Sequence, residues 1–286
     1  MKPLRSSRQR GAGFTLVEVM FAVGLISLIL GVTVQATVTT SALAQRTSAT
    51  TTLQSQTRLA LDAMMRDIHA GYQVVPSFSS YSSSTDSALV LQAPAYTSAG
   101  NVLSGQYDYI VYHLVGSSAP YTLNQYIVTA SGSARSAMSD TVLAKNIQSL
   151  TLLYLVDQPL TTGDGTTTRF SLNAAVAGSG AGFIETVLSN ASPLTIVART
   201  PAAGEAEYLA PSTSPAYPQG SILFGTAPVS SGGMDLIYSV DPSDSASASK
   251  ITQVSVDVRA GGTDGSLGGS AMESVEMVSR TNLHNH

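Results

Sequence analysis

Between Phe14 and Val34 the chain reads "FTLVEVMFAVGLISLILGVTV", an apolar run broken by a single charge, Glu18. As a helix this stretch is long enough to cross the roughly 30 Å of hydrocarbon in a bilayer. Apolar positions then thin out to a helical period. Val38, Ala42, Ala49, Leu53, Ala60 and Met64 recur at spacings of four and seven, which predicts a stripe along one helix face. No proline interrupts residues 14–75, and Gly71 directly after Ala70 marks a stop. One helix from Phe14 to Ala70 would reach roughly 85 Å at 1.5 Å per residue. The patch "RTSATTT", Arg46–Thr52, is rich in weak helix formers and opens the option of a bend or a locally melted turn.

From Tyr72 onward the pattern becomes alternating or shortly continuous, punctuated by Gly, Ser, Pro and Asp, which is the signal of strands and turns. The segments expected as strands are Ala88–Gln92, Tyr107–Val115, Tyr121–Ala130, Ser149–Val156, Phe183–Leu188, Leu194–Arg199, Ser221–Phe224, Met234–Val240, Ile251–Arg259 and Glu273–Ser279. "GSSAP" between the second and third suits a hairpin connector. In "ITQVSVDVR" Ile251, Val254, Val256 and Val258 nearly alternate with polar residues, so one face is expected buried and the other wet. The fold class expected is therefore α+β: one long N-terminal helix, half transmembrane and half amphipathic, packed on a β-rich C-terminal domain.

Charge sharpens this picture. Lys2, Arg5, Arg8 and Arg10 all precede Phe14, and the remainder carries ten basic against eighteen acidic residues, a net of −8. Basic flanks stay on the cytoplasmic side, so residues 1–13 are expected inside and the large domain outside. Cysteine is absent, so no disulfide staples that domain. An acidic, sparsely basic domain is a poor match for nucleic acid, and direct nucleic-acid binding is not expected. A cleaved secretory signal competes with the anchor, since Ala42–Ala44 offers an Ala-x-Ala site, but it follows the apolar run late. A plain uncleaved anchor is the simplest alternative.

The junction Gly13-Phe14-Thr15-Leu16-Val17-Glu18 resembles the type IV prepilin leader: a short basic leader, glycine, an aromatic, apolar residues, then a glutamate fifth after the cut. The resemblance implies that a prepilin peptidase cleaves after Gly13 and that the new amino group of Phe14 is N-methylated. It also implies a role for Glu18. A carboxylate inside a span costs a few kcal/mol and marks a functional site. Its partner would be the methylated amine of Phe14 on an adjacent subunit, setting axial register in a growing fibre. The alternative for Glu18 is an acid favoured by the positive helix N-terminus. Many type IV pilins kink this helix at an early proline, which this chain lacks.

"LALDAMMRDIHAGY", Leu59–Tyr72, narrows the resemblance to the PilW and GspJ branch of minor pilins and pseudopilins. Arg66, Asp67, Ile68, Ala70, Gly71 and Tyr72 match that branch, while His69 stands where it often has arginine. Fainter echoes are "DYIVYHL" from Asp108, "VLAKNIQSLTLLY" from Val142 and "ESVEMVSRTN" from Glu273. About 158–233 has no counterpart and reads as a loop-rich insert. The expected organisation is a leader at 1–13, a transmembrane helix at 14–34, its amphipathic continuation at 35–71, and a head at 72–286.

No other chemistry stands out. His69, His113, His284 and His286 are too dispersed for a metal site, "TGDGTTT" around Asp164 lacks the acids of a calcium loop, and "AGSGAG" from Ala177 lacks the lysine and helix of a phosphate loop. No catalytic arrangement of Ser, His and Asp appears, so neither an enzyme nor a cofactor is expected. Three functions follow. The first is a PilW-like minor pilin initiating or tipping a type IV pilus, with prepilin peptidase, sibling minor pilins, the major subunit and the inner membrane as partners and a periplasmic head. The second is a GspJ-like minor pseudopilin of type II secretion. The third is a membrane-anchored binding domain of another class.

Overall fold

The structure, a computed structural model, describes residues 15–160, 166–177, 184–189, 192–203, 205–227, 234–261 and 275–283. Helix α1 (Leu16–Ala70) is followed by β1 (Gln73–Val74), β2 (Ser77–Phe78), β3 (Tyr81–Ser82), β4 (Ala88–Tyr96), β5 (Val102–Val115), β6 (Tyr121–Val128) and β7 (Met138–Leu160). Then come β8 (Arg169–Ser171), β9 (Ile184–Ser189), β10 (Ser192–Pro193), β11 (Thr195–Val197), β12 (Glu205–Leu209), β13 (Ser221–Phe224) and β14 (Met234–Ser239), the one-turn helix α2 (Ser245–Ala248), β15 (Gln253–Ala260) and β16 (Val275–Asn282). A long helix followed by a strand-rich antiparallel domain makes the fold α+β and pilin-like. The chain divides into two compact units, Met1–Thr51 and Thr52–His286.

In the first unit α1 is exposed almost throughout; of residues 16–51 only Ala42, Ala49 and Thr50 are even half-buried. The threonine patch does not melt. Every residue of 46–52 is helical, and the hydroxyls of Thr47 and Thr51 donate to the carbonyls of Leu43 (3.0 Å) and Thr47 (2.8 Å). Bonding a hydroxyl to the carbonyl one turn back is how threonine is accommodated in a helix interior.

In the second unit α1 buries Leu53, Thr57, Ala60, Leu61, Met64 and Ile68, a stripe at successive helical turns. It shares one apolar core with Leu89, Leu91, Ile110, Tyr112, Leu123, Leu152, Tyr154, Val254 and Val256 from the strands. Of the stripe expected from sequence, Leu53, Ala60 and Met64 are buried and Val38 is exposed, so the buried face belongs to the last turns of the helix. Gly71 closes the helix without a left-handed turn: its N–H donates to Ile68 O at 3.0 Å. A Cβ there would lie 3.1 Å from Ile68 O, 3.2 Å from Asp67 O and 3.3 Å from a Leu283 methyl. Crowding, not φ, selects glycine at this position. The next N–H, of Tyr72, already bonds Gln92 O at 2.8 Å, so the chain turns straight into the sheet.

The main sheet runs β1-β4-β5-β6-β7-β14-β9-β10, with β15 on β7 and β16 on β15. β5 and β6 form the expected hairpin around residues 116–120. β15 alternates as expected, with Val254, Val256, Val258 and Ala260 fully buried. Each segment read as a strand overlaps an observed one, but β7 starts eleven residues before Ser149. A second sheet, β11-β12-β13-β8, lies within 158–233, the stretch expected as a loop-rich insert. Buried Gln158 ties that region to β7, donating to Ser171 O (3.0 Å) and accepting from Asn173 N–H (2.9 Å) and the Tyr238 hydroxyl (3.1 Å). Burial pushes the Tyr238 hydroxyl up to about 12, which keeps it a donor.

Candidate functional site

Thr15 begins the helix as its cap. Its main-chain oxygen accepts from the N–H of Glu18 (3.0 Å) and Val19 (3.2 Å), and its Oγ1 accepts from Glu18 N–H at 3.3 Å. Glu18 is thus the third helical residue of a Thr-x-x-Glu start, the position where a carboxylate faces the unpaired N–H groups of the first turn. The Thr-x-x-Glu spacing is the local sequence signal of that cap. Gly13 and Phe14, the residues at the expected cleavage, lie outside the described residues, as do His284, His286, Asp164 and most of "AGSGAG".

Beyond Glu18 the helix presents carbon on every side. Leu16 is 78% exposed, Phe21 71% and Leu28 66%, and none of the most apolar 18-residue window, mean hydropathy 2.3, is buried. The hydroxyls in this stretch are satisfied within the helix. Ser27 donates to Val23 O (2.8 Å), Thr33 to Ile29 O (2.7 Å), Thr37 to Thr33 O (2.8 Å), Thr39 to Gln35 O (2.9 Å) and Thr40 to Ala36 O (2.8 Å). A surface with apolar side chains outward and its hydroxyls internally paired suits a solvent without hydrogen-bonding capacity. By length and composition this helix is long and apolar enough to cross a membrane, consistent with a single-pass anchor.

At the other end of α1 a buried polar network fixes the helix to the sheet. Asp67 Oδ2 accepts from the Tyr112 hydroxyl (2.7 Å) and from Gln125 Nε2 (2.8 Å), which also donates to the Tyr112 oxygen (2.9 Å). Arg135 lies between Asp67 (3.9 Å) and the fully buried Asp108 (3.1 Å). Asp108 also accepts from Ala130 N–H and the Ser133 hydroxyl, so the buried charge is paired and hydrogen-bonded, as burial demands. Burial, then the charge of Asp67, raises the Tyr112 hydroxyl far above its ordinary range and holds it as a donor. Of the signature residues at 66–72, Asp67 alone enters this network, while Arg66 and His69 are exposed. Its partners Tyr112, Gln125 and Arg135 carried no local signal, because strand pairing assembles them.

On the opposite face of β5 the β2–β3 hairpin covers the sheet with rings. Phe78 stacks on Tyr109 at 4.0 Å between centroids, and Tyr81 lies 4.6 Å from His113. His113 Nε2 meets Asp140 Oδ1 at 2.7 Å, which makes it a packed, paired histidine. Among the described residues no three His, Cys, Asp or Glu side chains gather in a way that holds a metal.

Residues 8–34 match the family model of the prokaryotic N-terminal methylation motif. No curated protein and no solved structure matches the chain. The motif takes in the end of the basic leader, the Gly13–Phe14 junction, Glu18 and the apolar run to Val34, and it makes the front of the chain type IV prepilin-like.

Proposed function

We propose that this chain is a minor pilin of a type IV pilus, PilW-like, which acts in the initiating or tip complex after prepilin peptidase has cut between Gly13 and Phe14. Its N-terminus faces the cytoplasm, its helix is anchored in the inner membrane, and its head is periplasmic until sibling pilins draw it into the fibre. The observation that carries this reading is Glu18, the one charged side chain between Thr15 and Gln45, on a helix front left exposed among the described residues. Prepilin-like processing would release an amine on Phe14, one helical turn before Glu18, so a carboxylate on one subunit meets a cation on the next. The resemblance implies a smaller head for the GspJ-like pseudopilin branch, and the added β11-β12-β13-β8 sheet favours the pilus branch.

Two measurements test this. Co-expression with a prepilin peptidase should remove residues 1–13 and leave Phe14 N-methylated in the mass spectrum; an intact leader overturns the reading. Glu18→Gln then separates the acid's two roles. Glutamine serves a capping box nearly as well as glutamate but carries no charge. Glu18→Gln and Glu18→Leu should both insert in the membrane and both enter filaments about tenfold less, a loss of ~1.4 kcal/mol. Normal incorporation of Glu18→Gln would reduce Glu18 to a helix cap.

A further inference from the structure

β16 ends the sheet: among the described residues it pairs with β15 alone, across eight positions without a register shift. Two independent bonds fix which way its main chain points. Leu283 N–H donates to Thr252 O at 2.8 Å, so odd-numbered residues turn their main-chain groups toward β15. On the other side, Leu152 N–H donates to Thr85 O at 2.7 Å, away from β15. Thr151 therefore bonds its partner Asp257, and Asp257 turns away from β16. Both routes leave the N–H and C=O of Glu276, Val278, Arg280 and Asn282 directed to the outer edge. The side chains of these same four residues are exposed, Val278 at 63%.

Edge strands are ordinarily blunted by proline, bulges or charges aimed along the edge. β16 has no proline and no bulge, and its two charges reach back over the sheet, Glu276 to Arg259 (3.4 Å) and Arg280 to Gln253 (2.7 Å). The order of those charges names the occupant. Glu276 and Arg280 are equidistant from Val278, so an antiparallel copy centred on Val278 sets each glutamate opposite an arginine, twice. A parallel copy would set like charges together, which is unfavourable.

We propose that β16 is a self-pairing edge through which two copies of this chain join antiparallel about Val278 and continue the sheet across a twofold axis. Val278 exchanges both main-chain bonds with its counterpart, and the Glu276–Arg280 crosses select the register. Arginine's five donors allow Arg280 to keep Gln253 while meeting the carboxylate. The proposal stands independently of the pilin reading.

The chain has no cysteine, so a single introduced thiol reports the pairing. In the full-length protein in membranes, Val278→Cys should form a disulfide-linked dimer on mild oxidation, since facing Cα atoms about 5.5 Å apart lie within disulfide range. Val102→Cys, equally exposed at 61% on β5, should not. In the Val278→Cys background, Glu276→Arg and Arg280→Glu should each lower the dimer yield about tenfold, and the double exchange should restore it. No dimer from Val278→Cys, a cross-link to another protein instead of a copy, or a double exchange as poor as the single ones would each overturn the proposal.

Discussion

The front of α1 and its last five turns share one backbone and meet opposite surroundings. Every large apolar side chain from Leu16 to Val34 is at least half exposed, whereas Met64 and Ile68 have no exposed surface. Polar groups follow the same division. In the front, Ser27, Thr33 and Thr37 each bond a carbonyl one turn back. In the back, the hydroxyl of Thr57 is buried with no hydrogen-bond partner among the described residues. A helix that must offer only carbon to its neighbours satisfies its hydroxyls internally; a helix held by a specific sheet tolerates an imperfect one, because Asp67 and five apolar neighbours hold the register. The contrast suits one continuous helix to two settings, an apolar front long enough to span a membrane and a back packed in the head.

The largest test of this division is a matched pair of truncations. Met64→Ala should cost the head about 2–5 kcal/mol, the range for emptying a buried site. Leu25→Ala should leave head unfolding within about 0.5 kcal/mol, as expected for a side chain 61% exposed in the first unit. Urea unfolding of the full chain in detergent, followed by tyrosine near-ultraviolet signals, measures both. Equal losses would erase the distinction.

Much of this was legible in sequence because its physics is local. The apolar run, the glycine before Phe14 and the acid at 18 announce themselves within one contiguous stretch, as does the alternation of Val254, Val256 and Val258. What stayed hidden depends on partners. β12, Glu205–Leu209, is built from residues that favour helix as readily as strand, and only pairing with β11 and β13 makes it a strand. The first half of β7 is masked by Ser139, Asp140, Lys145 and Asn146, and its ladder to β6 shifts register three times. Asn146 adopts φ +60°, a conformation that breaks alternation. The Asp67 network draws on residues 45 to 68 positions away, too far for periodicity to link them.

A smaller effect sharpens the same comparison at the level of single hydroxyls. Thr57→Val replaces a buried, unpartnered hydroxyl by a methyl of similar size, and removing such a group should raise head stability by about 1 kcal/mol. Thr33→Val removes an exposed hydroxyl already bonded within the helix, so head unfolding should not change. A gain at Thr33 equal to that at Thr57 would show that β-branching, not burial, sets both results.

The smallest effect concerns how each region treats an acid in poor surroundings. Glu18 has the helix N-terminus beside it, whereas Asp257 on β15 has one carboxylate oxygen without a partner among the described residues. Desolvation first, then the neighbouring Glu276, raises the Asp257 carboxyl above its ordinary 3.8, with Arg259 partly opposing. A carboxyl whose folded pKa is raised binds its proton more tightly in the folded state, so stability falls as pH climbs from below 3.8 through the raised folded value, then levels off. Asp257→Asn should therefore stabilise the head at pH 7 and give no gain at pH 3, and Glu276→Gln should reproduce part of that difference. The effect ranks below Thr57→Val because solvent reaches the half-buried carboxylate and screens it. Urea midpoints at the two pH values measure it. A gain at pH 3 as large as that at pH 7 would mean that side-chain shape, not charge, is what Asp257 costs the sheet.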